Sequence, residues 1–186
     1  QLPKSGAVDD KKALTPLFVY LHRGAWGSGD KRQYRDIGTA LAARGIAVAI
    51  VNYRLSGDGI VRHPAHALDV AIAVGWLRKH AAELGVDAAR IFVGGHSAGA
   101  HISALLAYDP SLLAAVGEKP TALRGFVGLE GIYDLPELVR RFPRYRSDFL
   151  TDAFGADEKD WRAASPTQLP IGHKLPWLVV HSQEDE

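Results

Sequence analysis

Within Gly94-Gly95-His96-Ser97-Ala98-Gly99-Ala100-His101 a serine stands between glycines placed two residues to either side, in the order G-x-S-x-G. A hydroxyl in that setting is a candidate nucleophile for acyl transfer. The small neighbours follow from the geometry this chemistry needs. A serine presented at the tip of a strand-to-helix turn brings two backbones almost into contact, and Gly95 and Gly99 leave that approach open. Ser97 alone is a weak nucleophile; it needs a histidine to take its proton, an acid to orient that histidine, and donors for the oxyanion. The amide of Ala98, directly after the serine, is one expected donor. The loop His22-Arg23-Gly24-Ala25-Trp26-Gly27-Ser28-Gly29 is rich in small residues whose N–H groups are free to point at a ligand, and Gly24 and Ala25 are the expected partners of Ala98. Losing one such donor typically costs about 2.7–4 kcal/mol in the transition state.

Elements that place these groups are legible around them. Leu17-Phe18-Val19-Tyr20-Leu21 is an apolar run of strand length that ends at the His22 loop. Residues 34–43 carry helical spacing and stop at Arg44-Gly45, and residues 46–53 read as the next buried strand. Proline at His63-Pro64 opens a long helix whose expected apolar face is Leu68, Ile72, Gly75 and Trp76. Ile91-Phe92-Val93 is the strand before the turn, and a small-residue helix follows over residues 100–108 until Pro110 stops it. Gly125-Phe126-Val127-Gly128-Leu129 and Trp177-Leu178-Val179-Val180-His181 read as further strands. Between them, residues 135–168 are richer in charge and proline, with amphipathic pieces at 136–141, 146–154 and 158–163, and suggest a lid. Strands alternating with helices imply a doubly wound, mostly parallel sheet with helices on both faces. In such a sheet ligands sit beyond the carboxyl ends of the strands, and His22 to Ala25, Ser97, Glu130, Asp134 and Asp185 all follow strands.

Composition narrows the partners. The 186 residues are 47% apolar, sufficient for one domain with its own core over 1–186, and no second domain is required. A net charge of +1 without basic clusters argues against nucleic acid or a membrane surface, leaving a small-molecule substrate. There is no cysteine, so thiolate metal sites and cysteine nucleophiles are out. The order G-x-x-x-x-G-K-[ST] fails because Asp30 follows Gly29, and no G-x-G-x-x-G opens a helix. Neither a metal nor an organic cofactor is expected. A cytoplasmic location and a homodimer are compatible with these features.

The motifs resemble those of the α/β-hydrolase superfamily, and within it the fungal-type kynurenine formamidases (arylformamidases) and related carboxylesterases. His22-Arg23-Gly24-Ala25-Trp26 resembles the H-G-G-x-W loop, Gly95-His96-Ser97-Ala98-Gly99 the nucleophile elbow, and Tyr53-Arg54-Leu55-Ser56 a segment common in esterases. Gly131-Ile132-Tyr133-Asp134-Leu135 and Val180-His181-Ser182 ahead of Asp185-Glu186 are similar to the formamidase pattern. The resemblance implies a serine hydrolase acting on N-formylkynurenine, another aryl-formamide or a short acyl ester. It makes Ser97 the nucleophile, Asp185 the orienting acid, Gly24, Ala25 and Ala98 the oxyanion donors, and His22 and Trp26 supports of the loop. Arg23 departs from the family glycine, and its side chain must find room. Asp134 is the competing acid, and a helix cap before Leu135-Pro136-Glu137 is its structural alternative. The superfamily order is Ser, acid, His, and none of the eight histidines is placed to complete it. The expected base therefore lies after Glu186, on a C-terminally truncated fold, and these 186 residues alone are expected to be nearly inactive. Two other readings stay open, a general carboxylesterase and a catalytically dead relative that only binds.

Overall fold

The structure is a computed structural model in which residues 14–170 and 174–182 are described. Five strands, β1 (Thr15–Leu21), β2 (Ala47–Val51), β3 (Val86–His96), β4 (Gly125–Leu129) and β5 (Trp177–Val180), form one sheet in the order β2-β1-β3-β4-β5. Every pairing is parallel. The chain first steps from β1 outward to β2, then returns to the other side of β1 as β3. With right-handed crossovers, that reversal sends α1 (Arg35–Ala42) to one face of the sheet and α2 (Ala65–Lys79) and α3 (Ala98–Tyr108) to the other. The gap between the carboxyl ends of β1 and β3 is thus a topological switch point, where a ligand crevice opens in sheets of this kind.

Helix α3 is the hub. Every residue from Ala98 to Ala107 is buried, because Ala, Gly and Ser side chains let the helix settle directly on the sheet. The following α4 (Pro110–Ala114) begins with proline at its first turn and an Asp109 cap on Ser111 N. So Pro110 ends one helix and starts another. Helix α2 corrects the expectation of its apolar face: Ala67, Val70, Ala71, Val74 and Leu77 are buried, whereas Ile72 and Trp76 are more than half exposed. Apolar residues ring this helix almost completely, so periodicity picks no face. The smaller alanines and valines win the inward side because they permit the closest approach.

Between β4 and β5 the chain forms α5 (Leu135–Arg141), a π-helical turn (Arg146–Leu150), α6 (Thr151–Phe154) and α7 (Glu158–Ala163). Buried Ser165 ties this group together: its Oγ accepts from Leu135 N at 2.9 Å and donates to Trp161 O at 2.7 Å. Trp161 Nε1 in turn donates to Gly155 O at 2.8 Å. No helix among the described residues is long and apolar enough to cross a membrane.

Candidate active site

The turn between β3 and α3 is as tight as the spacing of its glycines demands. A Cβ on Gly95 would stand 2.4 Å from Leu21 O, and one on Gly99 2.3 Å from the same oxygen and 2.7 Å from His22 O. The end of β1, the end of β3 and the first turn of α3 therefore meet backbone to backbone. Ser97 sits at the apex with φ 55° and ψ −118°, a conformation rare outside glycine, and its N–H donates to Leu129 O at 2.9 Å. Strain of this sort persists only where the surroundings enforce it, and it clusters at functional positions.

The His22 loop is bent as sharply. Gly24 has φ 133°, and a Cβ there would fall 2.1 Å from Ser28 O; Ala25 and Trp26 follow with φ of 48° and 59°. Gly27 N and Ser28 N both donate to Gly24 O, closing the turn, and the amides of Gly24 and Ala25 enter no hydrogen bond among the described residues. Fully buried His22 stacks on Tyr53 at 4.4 Å between ring centres and donates from Nδ1 to Arg23 O at 2.8 Å. Tyr53 Oη donates to His22 O at 2.9 Å. Arg23 itself is exposed, so replacing the family glycine does not crowd the loop.

Trp26 anchors the other end. Its indole Nε1 donates to His101 Nδ1 at 3.1 Å, and His101 Nε2 donates to Ala164 O at 2.8 Å. This chain of bonds joins the loop, the central helix and the end of α7, and it fixes the His101 tautomer. Burial pushes His101 down to about 3, so the ring stays neutral. His66 is likewise pushed down to about 4, first by burial and then by His63, with its Nε2 on Ser56 Oγ at 2.6 Å. His80 Nδ1 donates to Trp76 O, and His96 Nε2 donates to Glu130 Oε2 at 2.8 Å. Each of these five histidines thus has a ring nitrogen bonded to a group other than Ser97.

Ser97 and Ala25 share a cavity of about 490 Å³ with Glu130, Tyr133, Asp134 and His181 on its floor and rim. Its roof comes from α5 and the π-helical turn: Leu138, Arg141, Phe142, Tyr145 and Phe149. Phe142, Tyr145 and Phe149 form a ladder with ring centres 5.3 and 4.8 Å apart. The ladder carries no motif, and helical spacing gave no reason to point it at Ser97. His181 lies one residue past the end of β5, on the cavity rather than within the strand.

Asp134 takes the capping role. Its Oδ1 accepts from Glu137 N at 3.0 Å at the start of α5, and Oδ2 accepts from Thr167 Oγ1 and Gln168 Nε2, each at 3.0 Å. Burial alone would raise this carboxyl, but the three donors outweigh it and hold it below its ordinary range. Asp185, expected as the orienting acid, lies outside the described residues, as does His173. Among the described residues no group of three or more His, Asp or Glu side chains could hold a metal ion.

Known proteins are similar to this chain. The BD-FAE family model matches residues 7–186. Esterase LipC of Mycobacterium tuberculosis is 32% identical over 180 residues, covering 91% of this chain and 44% of LipC. Kynurenine formamidase of Meyerozyma guilliermondii is 31% identical over 179 residues, covering 91% of this chain and 65% of that protein. Among solved structures, the apo form of Thermogutta terrifontis esterase 2 superposes with a TM-score of 0.73 at 25% identity, covering 96% of this chain and 63% of that one. The chain spans less than two thirds of the length of each of these relatives. A parallel sheet with its switch point between β1 and β3, a strained serine at that point and a family match over nearly the whole chain agree: this chain belongs to the BD-FAE family, within the α/β-hydrolase superfamily.

Proposed function

We propose that the chain carries the nucleophile half of a serine hydrolase. Ser97 Oγ attacks the substrate carbonyl, the amides of Ala98, Ala25 and Gly24 receive the oxyanion, and the amine or alcohol leaves. Water then attacks the acyl-enzyme, releasing the acid and restoring the serine hydroxyl. The observation that carries this reading is Ser97 held at φ 55° in the same cavity as Ala25, at the switch point of the sheet. Ala98 opens α3, where the first amides of a helix have no intrahelical partner and the dipole favours negative charge. Asp185 orients the histidine that serves as base, and that base is none of His22, His66, His80, His96 and His101. Turnover by residues 1–186 alone is expected to be slow. Location in the cytoplasm accompanies this reading.

The substrate is an aryl-formamide such as N-formylkynurenine, cleaved to kynurenine and formate. Two features support it: the formamidase relative, and the aromatic ladder that lines the Ser97 cavity. The likeness to LipC favours a second reading, a carboxylesterase of broader range. In the full-length protein, a fluorophosphonate probe is expected to label Ser97 and to leave Ser97→Ala untouched; failure to label would mark the chain as a binding relative. Turnover of N-formylkynurenine against p-nitrophenyl acetate separates the substrates, and cleavage of the ester alone would remove the formamidase assignment.

A further inference from the structure

Four charged side chains line the Ser97 cavity: Glu130, Asp134, Glu137 and Arg141. Three are carboxylates, and their bonding differs sharply. Asp134 accepts from three donors, in its helix cap and the following loop. Glu137 is held by Arg140 and Arg141 together, which draw it down to about 2. Glu130 has one bond, from His96 Nε2 at 2.8 Å, and leaves acceptor capacity on a half-exposed carboxylate.

Backbone bonds tie Glu130 to the turn that carries Ser97, and both residues line the same cavity. Glu130 directly follows Leu129, whose carbonyl accepts the Ser97 amide, and His96 directly precedes Ser97. Glu130 also has φ 48°, one of four non-glycine residues with positive φ among the described residues; the other three are Ala25, Trp26 and Ser97. Its own amide donates to Val180 O at 2.8 Å, which holds the strained residue against the end of β5.

We propose that Glu130, positioned by His96, is a specificity-determining subsite that favours substrates carrying an ammonium group over neutral ones of the same shape. This rests on the serine-hydrolase reading and deepens it by naming the charge of the substrate. His96 fixes one carboxylate oxygen and leaves the other to meet the cation. Asp134 adds background negative potential, and Glu137, held by Arg140 and Arg141, does not compete for a direct bond. The aromatic ladder opposite accommodates the apolar remainder of such a substrate.

The test compares two organophosphonates of equal shape, one bearing a trimethylammonium arm and the other a neutral tert-butyl arm, for their rate of labelling Ser97 in the full-length protein at pH 8. Charge attraction to the Glu130 carboxylate is expected to make the cationic reagent react roughly tenfold faster or more. Glu130→Gln, which keeps the side-chain shape, brings the two rates within about twofold of each other, and His96→Gln lowers their ratio partway. In the unmutated protein, raising the salt from about 10 mM to 1 M shrinks the ratio as exposed charge is screened. Equal rates for both reagents, or a ratio indifferent to Glu130→Gln and to salt, would overturn the subsite and leave the nucleophile assignment standing. If neither reagent labels Ser97, both proposals fall together.

Discussion

Gly99→Ala tests the claim that the site exists because three backbones touch. The added Cβ would sit 2.3 Å from Leu21 O, where about 3.0 Å is the closest such atoms come, and 2.7 Å from both Leu21 C and His22 O. All three obstacles are main chain, so no rotamer relieves a shortfall of about 0.7 Å. Either α3 lifts from the sheet, losing contacts of a helix buried from Ala98 to Ala107, or the Leu21–His22 peptide shifts and takes the Gly24 loop with it. Overpacking of this kind costs about 1–3 kcal/mol, and a clash with backbone on every side places Gly99→Ala at the upper end. A urea midpoint lowered by about 1 M is expected for a chain of this size. A displacement near 1 Å between Ala98 and the loop amides lowers the fluorophosphonate labelling rate about a hundredfold. Gly75→Ala is the control: in α2 its Cβ would stand 3.7 Å from Glu118 Cγ, an ordinary contact, so it raises stability by about 0.5–1 kcal/mol. Gly99→Ala within about 0.5 kcal/mol of the unmutated protein, with labelling unchanged, would refute the argument from close approach.

Three other perturbations probe the supports of the site. Trp26→Phe leaves the buried His101 Nδ1 without its donor; it is expected to cost about 1–3 kcal/mol, read as a melting temperature lower by roughly 3–10 °C. A drop under about 1 °C counts against the bridge. His101 and His66 are held neutral by burial, with pKa values of about 3 and about 4 against an ordinary value near 6.5. The unfolded chain therefore binds more protons below that value, so stability is full above about pH 6.5 and declines on acidification, each ring adding up to about 1.4 kcal/mol per pH unit. Urea midpoints at pH 7.5, 6 and 5 measure this, and a flat profile would contradict the burial of both rings. Asp134→Asn keeps a side-chain oxygen for the α5 cap; labelling within about threefold is expected, whereas loss of a true triad acid costs about 10⁴. A fall of that size would transfer the acid role to Asp134.

Much of the fold is written in short-range pattern. The strand ahead of Ser97, the glycines either side of it and the helix behind it follow from sterics acting over a few residues, and β4 spans Gly125–Leu129 as its apolar run predicts. The Asp134 cap is equally local, since a carboxylate one turn ahead of Glu137 meets a free amide wherever it is placed. Periodicity failed at α2, because a helix apolar on nearly all sides is oriented by what packs against it. The tertiary structure alone joined Trp26 to His101 across 75 positions, brought Phe142, Tyr145 and Phe149 into the lining of the Ser97 cavity, and set Glu130 beside His96. Sequence by itself determined the parallel α/β plan and the position of the elbow, because a strand, a pinched turn and a helix are each decided by residues adjacent along the chain. Which rings are neutral, which carboxylate keeps an open acceptor and what roofs the cavity were decided only on folding, because burial and hydrogen-bond saturation depend on groups that the chain brings together from far apart.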